Sequence, residues 1–114
     1  MVESAKAYRS PDGTLTFTVE IDREGMTILS FGYPWHTHPD LLVPDYAQTE
    51  EAAIERFVGE LLNNQTVIAI SRRNGKIADI CITGDPATEL GYARDDEIVE
   101  LRYWNGSPWR NPLP

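Results

Sequence analysis

A chain of 114 residues with 18 acidic and 10 basic side chains, a net charge of −8 and an isoelectric point near 4.6 has room for one domain and one core, here taken as residues 1–114. Its field repels phosphate backbones and anionic lipid, which sets non-specific nucleic-acid and membrane binding aside and favours a basic protein partner. Cys81 is the one cysteine, the longest apolar run is Val67 to Ile70, and Met1 to Ser10 holds no apolar signal core, so the expectation is a disulfide-free cytoplasmic protein without a membrane span.

Residues 1–13 read as a leader that ends in a turn at Ser10-Pro11-Asp12-Gly13. From Thr14 to Ile21, Leu15, Phe17, Val19 and Ile21 alternate with Thr14, Thr16, Thr18 and Glu20, the period of a half-buried strand. Asp22-Arg23-Glu24-Gly25 is a turn, and Met26 to Phe31 returns as the second arm of a hairpin. Gly32 to Asp40 breaks the pattern as a structured loop or a short extended segment.

A helix follows Val43-Pro44. Asp45 with Gln48 offers one start, and Thr49 followed by Glu50 and Glu51 offers a second, with the carboxylates where the helix dipole favours them. Ile54, Phe57, Val58, Leu61 and Leu62 form the stripe of a helix laid on a core, and Asn63-Asn64 ends it. Thr66 to Arg72 and Ile77 to Thr83 then flank Arg73-Asn74-Gly75-Lys76, the signature of a type I′ hairpin. A regular ladder on that turn sets Ile70 opposite Asp79 and Ile68 opposite Cys81. Neither face of this hairpin is polar throughout, so the helix is expected over one and the C-terminal tail or a second subunit over the other. Gly84 to Asp96 reads as a loop, Glu97 to Trp104 as a final strand, and residues 105–114 as a Pro/Trp-rich tail. The expectation is an α+β fold of order ββαβββ, an antiparallel sheet of about five strands with one amphipathic helix on one face.

Chemistry concentrates in His36-Thr37-His38-Pro39-Asp40, with both histidines of the chain and an aspartate at two-residue spacing. In extended backbone alternate side chains project to one side, which puts His36, His38 and Asp40 in a row. Such a row could hold zinc or another divalent ion, with Asp45 or Asp79 as a fourth ligand or base and a bound water as nucleophile. Against this stands an aromatic, proline-rich cover over a sheet edge, its imidazoles hydrogen-bonded to backbone.

The string HTHP ahead of a helix resembles the metal-binding core of JAMM-type zinc isopeptidases, in which H-x-H-P is followed by a serine and an aspartate. His36, His38 and Pro39 match; Tyr46 stands at the serine position and Thr49 at the aspartate position. The resemblance implies zinc, and those two departures count against a peptidase. Taken as a whole, the order strand, strand, Trp35-His36-Thr37-His38, helix, Asn-Gly hairpin, strand is similar to small uncharacterised bacterial domains, which implies a fold and no activity.

Asp79 and Cys81 are placed on one hairpin face, with Arg72 there as a partner for Asp79. Tyr103, Trp104 and Trp109 either cap the core or anchor an interface, and Trp109, beside Pro108, Pro112 and Pro114, suits an interface better. The chain has no nucleophile elbow, Gly-rich phosphate loop or Cys-x-x-Cys. The residues therefore point first to a non-enzymatic protein-binding or accessory module, immunity-type for example, without a cofactor. It would use Trp35, His36, His38, Asp40, Trp104 and Trp109 for contact and could form a homodimer. The alternative is a metal-dependent hydrolase on His36, His38, Asp40 and Asp45.

Overall fold

The computed structural model describes residues 2–32, 35–43, 45–91 and 96–110. The fold is α+β with antiparallel pairing, as expected, but the described residues form seven strands in two sheets rather than about five in one. The first sheet has the order β1 (Val2–Arg9), β2 (Thr16–Asp22), β3 (Thr27–Ser30), β4 (His36–Thr37). The second sets β5 (Val67–Arg73) between β6 (Lys76–Thr83) and β7 (Glu97–Arg102). Among the described residues the main helix is α2 (Glu50–Leu62), with short helices α1 (Pro39–Leu42) and α3 (Pro86–Gly91).

One expectation about the early chain changes. Residues 2–9 are an edge strand rather than a leader, paired with β2 from Val2↔Asp22 to Arg9↔Thr16. The turn after β1 forms where the sequence puts it: the Ser10 hydroxyl donates to Asp12 and accepts from the Leu15 amide, and Gly13 takes φ +75. The β2–β3 hairpin closes on Asp22, whose Oδ1 accepts the amides of Glu24 and Met26.

Of the two helix starts, Thr49 is the N-cap, its Oγ1 accepting the Ala52 amide at 3.2 Å. The other end closes as expected: Asn64 adopts φ 62, the Gln65 amide donates to the Glu60 carbonyl, and the Asn64 amide donates to Leu61. Ala53, Phe57, Val58 and Leu61 are buried. They meet Leu15, Phe17 and Leu29 of the first sheet side and Ile68, Ile70 and Ile80 of the second, with Trp104, in one cluster. Each of these larger side chains contributes roughly 1.5–3 kcal/mol by leaving water.

The Asn-Gly turn forms with Asn74 at φ 55 and Gly75 at φ 78, yet the ladder slips. Arg72 pairs with Ile77 and Ser71 with Asp79, so Ala78 is an extra residue bulged out of β6. The pairs become Ile70↔Ile80, Ile68↔Ile82 and Ala69↔Cys81 in place of the expected Ile70–Asp79 and Ile68–Cys81. The slip has a physical reason: it puts the isoleucines on one face, toward the core, and the small and polar residues on the other. Ala69 and Leu101 are buried on that second face, where α3 packs across β5 and β7 inside the stretch expected to be loop. Pro86 opens α3, and the Asp85 carboxylate caps it through Thr88.

The tail folds back on β7. Tyr103 donates its amide to Ser107, Arg102 bridges to Pro108, and the Trp109 amide donates to the Leu101 carbonyl. Pro112 and Pro114 lie outside the described residues.

Candidate functional site

The loop rich in aromatic and histidine residues is held from both sides. An aromatic chain runs inward from Trp35 to Phe31, Phe17, Phe57 and Tyr46, with ring centroids 6.2, 4.9, 6.1 and 5.3 Å apart. The Trp35 amide donates to Asp79 Oδ1 at 3.3 Å, which joins the edge of the first sheet to the edge of the second. Asp79 also accepts the Ile80 amide, while Arg72 pairs with Glu100; the expected Arg72–Asp79 partnership is replaced. Tyr33 and Pro34 of the same loop lie outside the described residues.

His36 and His38 do come together, ring centroids 5.1 Å apart and nearly perpendicular. His38 Nδ1 lies 3.1 Å from the Thr27 carbonyl oxygen. The expected row ends there, because Pro39 opens α1 with His38 as its N-cap, and Asp40 sits in helical rather than extended backbone. Asp40 is exposed beside a cleft of about 500 Å³ that His38, Glu24 and Glu50 also line, and Asp45 is exposed in the turn before α2. Among the described residues no three His, Cys, Asp or Glu side chains are grouped to hold a metal ion. Burial raises the Tyr46 phenol above its ordinary pKa, helped by Glu60 and opposed by Arg56, so it is a neutral hydroxyl near neutrality.

The two C-terminal tryptophans separate. Trp104 is 4% exposed and belongs to the core cluster, which leaves no face of its ring for a partner. Trp109 is half-buried and lines a shallow hollow with Val67, Thr83 and Pro86. That hollow is also lined by Tyr46, Glu60 and Ile82, so Trp109 stands at the end of the second sheet, while Ala69, Ser71, Asp79, Cys81 and Val99 of the outer face line a separate open cleft of about 400 Å³.

A site that sequence reading missed lies on the other side of α2. A groove of about 440 Å³ is lined by Lys6 and Tyr8 of β1, Val19 and Ile21 of β2, and Ile54, Glu55, Val58 and Gly59 of α2. Strand parity explains it. Tyr8 opposes Phe17 and Lys6 opposes Val19, so all four share the face on which α2 rests, but α2 covers only the Phe17 end. Ile21 is left 38% exposed. Gly59 keeps the helix wall low, with nothing within 4 Å of a Cβ built there. The available signal was a glycine inside the α2 stripe and an isoleucine at the far end of the β2 stripe. No protein-family model, curated protein or solved structure matches the chain.

Proposed function

We propose that this chain works by binding another protein, as an accessory module without chemistry of its own, a role of the kind an immunity-type protein plays toward a basic toxin. The observation that carries the reading is the open groove between α2 and β1, in which Tyr8, Val19, Ile21 and Ile54 present apolar surface to water over a floor that includes the buried Val58. The net charge of −8 supports a basic partner, since complementary fields speed encounter and repel the wrong ones. A reducing cytoplasmic setting suits a chain with one part-buried cysteine, Cys81.

Metal-dependent hydrolysis at His36, His38, Asp40 and Asp45 is the second reading, and one geometric fact favours it. With His38 Nδ1–H donating to Thr27, the Nε2 lone pair is free to ligate, the arrangement usual for a metal-bound imidazole. Two imidazoles with no third donor grouped with them among the described residues make a weak site. Protein purified without a histidine tag and dialysed against zinc separates the readings by its metal content. Trace metal in both wild type and His36→Ala/His38→Ala is expected; stoichiometric zinc lost in the double variant would overturn the binding-module reading.

A further inference from the structure

Two open sheets present four strand edges, and among the described residues three are closed off locally. β4 is two residues long. β6 carries the Ala78 bulge, and the Asp79 carboxylate takes the amides of Ile80 and Trp35 beside it. The outer side of β7 meets the returning tail at its Leu101–Arg102 end, through Pro108 and Trp109. β1 is different. It runs eight residues without proline, pairs with β2 in regular register from Ser4 to Arg9 with its one irregularity at the far end between Val2 and Ser4, and has no described strand on its outer side. Natural sheets rarely leave an edge of that length bare, because it templates another strand.

The groove opens along this edge. A strand laid against β1 stands ~4.8 Å from it and sends every second side chain to the face that Lys6 and Tyr8 share with α2. Main-chain hydrogen bonds to β1 would supply affinity, and the apolar lining would select side chains. We propose that β1 and the groove form a strand-addition site for an extended, basic segment of a partner protein. Alternate apolar residues enter the groove, and Lys or Arg between or beyond them reach Glu55, and Glu51 one helical turn away.

Charge decides the occupant. A second copy of this chain brings another −8 to the interface, whereas a basic segment meets Glu55 on the lining and a field of its opposite sign. Lys6, the one cation on the lining, sits over the Tyr8 ring at 5.3 Å. This assignment rests on the protein-binding reading and adds the site and the chemistry of the ligand.

The test is selection of a displayed library of random nine-residue peptides on the full chain, followed by synthesis of the enriched sequences. Expected are peptides alternating apolar and Lys/Arg residues that slow amide exchange along β1 and lose binding when alternate peptide amides are N-methylated. Affinity is expected to fall at least tenfold for Gly59→Leu, which fills the groove at a position with open space, folding being checked by circular dichroism. No enrichment, enrichment of acidic peptides, or self-association through β1 in light scattering would overturn the proposal. Peptides that bind elsewhere and ignore Gly59→Leu would sink this site alone and leave the protein-binding reading standing.

Discussion

Arg102, at the end of β7, donates from Nη1 to Asp12 Oδ2 at 2.7 Å, tying the turn after the first strand to the last strand of the second sheet. The guanidinium is almost wholly buried, and its other nitrogens donate to the carbonyls of Tyr103 and Trp104. Arg102, aided by the Ser10 hydroxyl, holds the Asp12 carboxyl well below the usual carboxylate range. The folded state therefore binds this proton more weakly than the unfolded chain does. The pair's stabilisation is complete above about pH 4 and fades as the pH falls below it.

Asp12→Asn is accordingly expected to cost about 1–3 kcal/mol at pH 7, toward the lower end because Asp12 itself is partly open to water. At pH 3 the cost should be smaller. Urea melts of both proteins at the two pH values measure it, and an equal loss at both would contradict the ion-pair assignment.

Two glycines should respond with opposite sign. Gly59 lies within α2 with open space around it, so Gly59→Ala is expected to stabilise by about 0.5–1 kcal/mol through helix propensity. Gly75 holds φ +78 in the hairpin turn, so Gly75→Ala is expected to cost about 1–2 kcal/mol. Thermal or urea unfolding of the pair reads both.

The two helix starts also differ in consequence. Thr49→Ala removes the acceptor of the Ala52 amide and should cost about 1 kcal/mol, whereas Asp45→Ala, in the exposed turn before α2, should stay within about 0.5 kcal/mol of wild type. Equal losses in urea melts would assign the cap wrongly.

Asp79→Ala leaves the amides of Trp35 and Ile80 without their shared acceptor and is expected to cost about 1–2 kcal/mol. Amide exchange should quicken at Trp35, where the two sheet edges meet. Unchanged exchange there would mean that the carboxylate does not hold the loop.

What the sequence discloses follows from how much each element depends on itself. β2 and α2 are legible because Leu15-Phe17-Val19 and Phe57-Val58-Leu61 carry their own periodicity, and the Asn74-Gly75 turn because its backbone demands are local. β1 is not legible: Ser4, Lys6 and Tyr8 make no apolar stripe, and the strand exists through its pairing with β2. The Ala78 bulge is hidden for a similar reason, since only the core decides that Ile80 rather than Asp79 should oppose Ile70. For the site, sequence brings His36 and His38 together correctly and fails at Asp40, because Pro39 both ends the extended run and starts α1. The groove left only faint marks in the sequence, Gly59 inside the α2 stripe and Ile21 at the far end of the β2 stripe. It is a gap between β1, β2 and α2, and a gap depends on where α2 stops covering the sheet.

Calorimetric titration of one selected basic peptide into three proteins bears most directly on the proposal that β1 and α2 receive a partner: wild type, Gly59→Leu and His36→Ala/His38→Ala. Binding should weaken at least tenfold in Gly59→Leu and stay at the wild-type value in the histidine variant. Full affinity in Gly59→Leu together with loss in the histidine variant would place recognition at the histidine loop and contradict the groove.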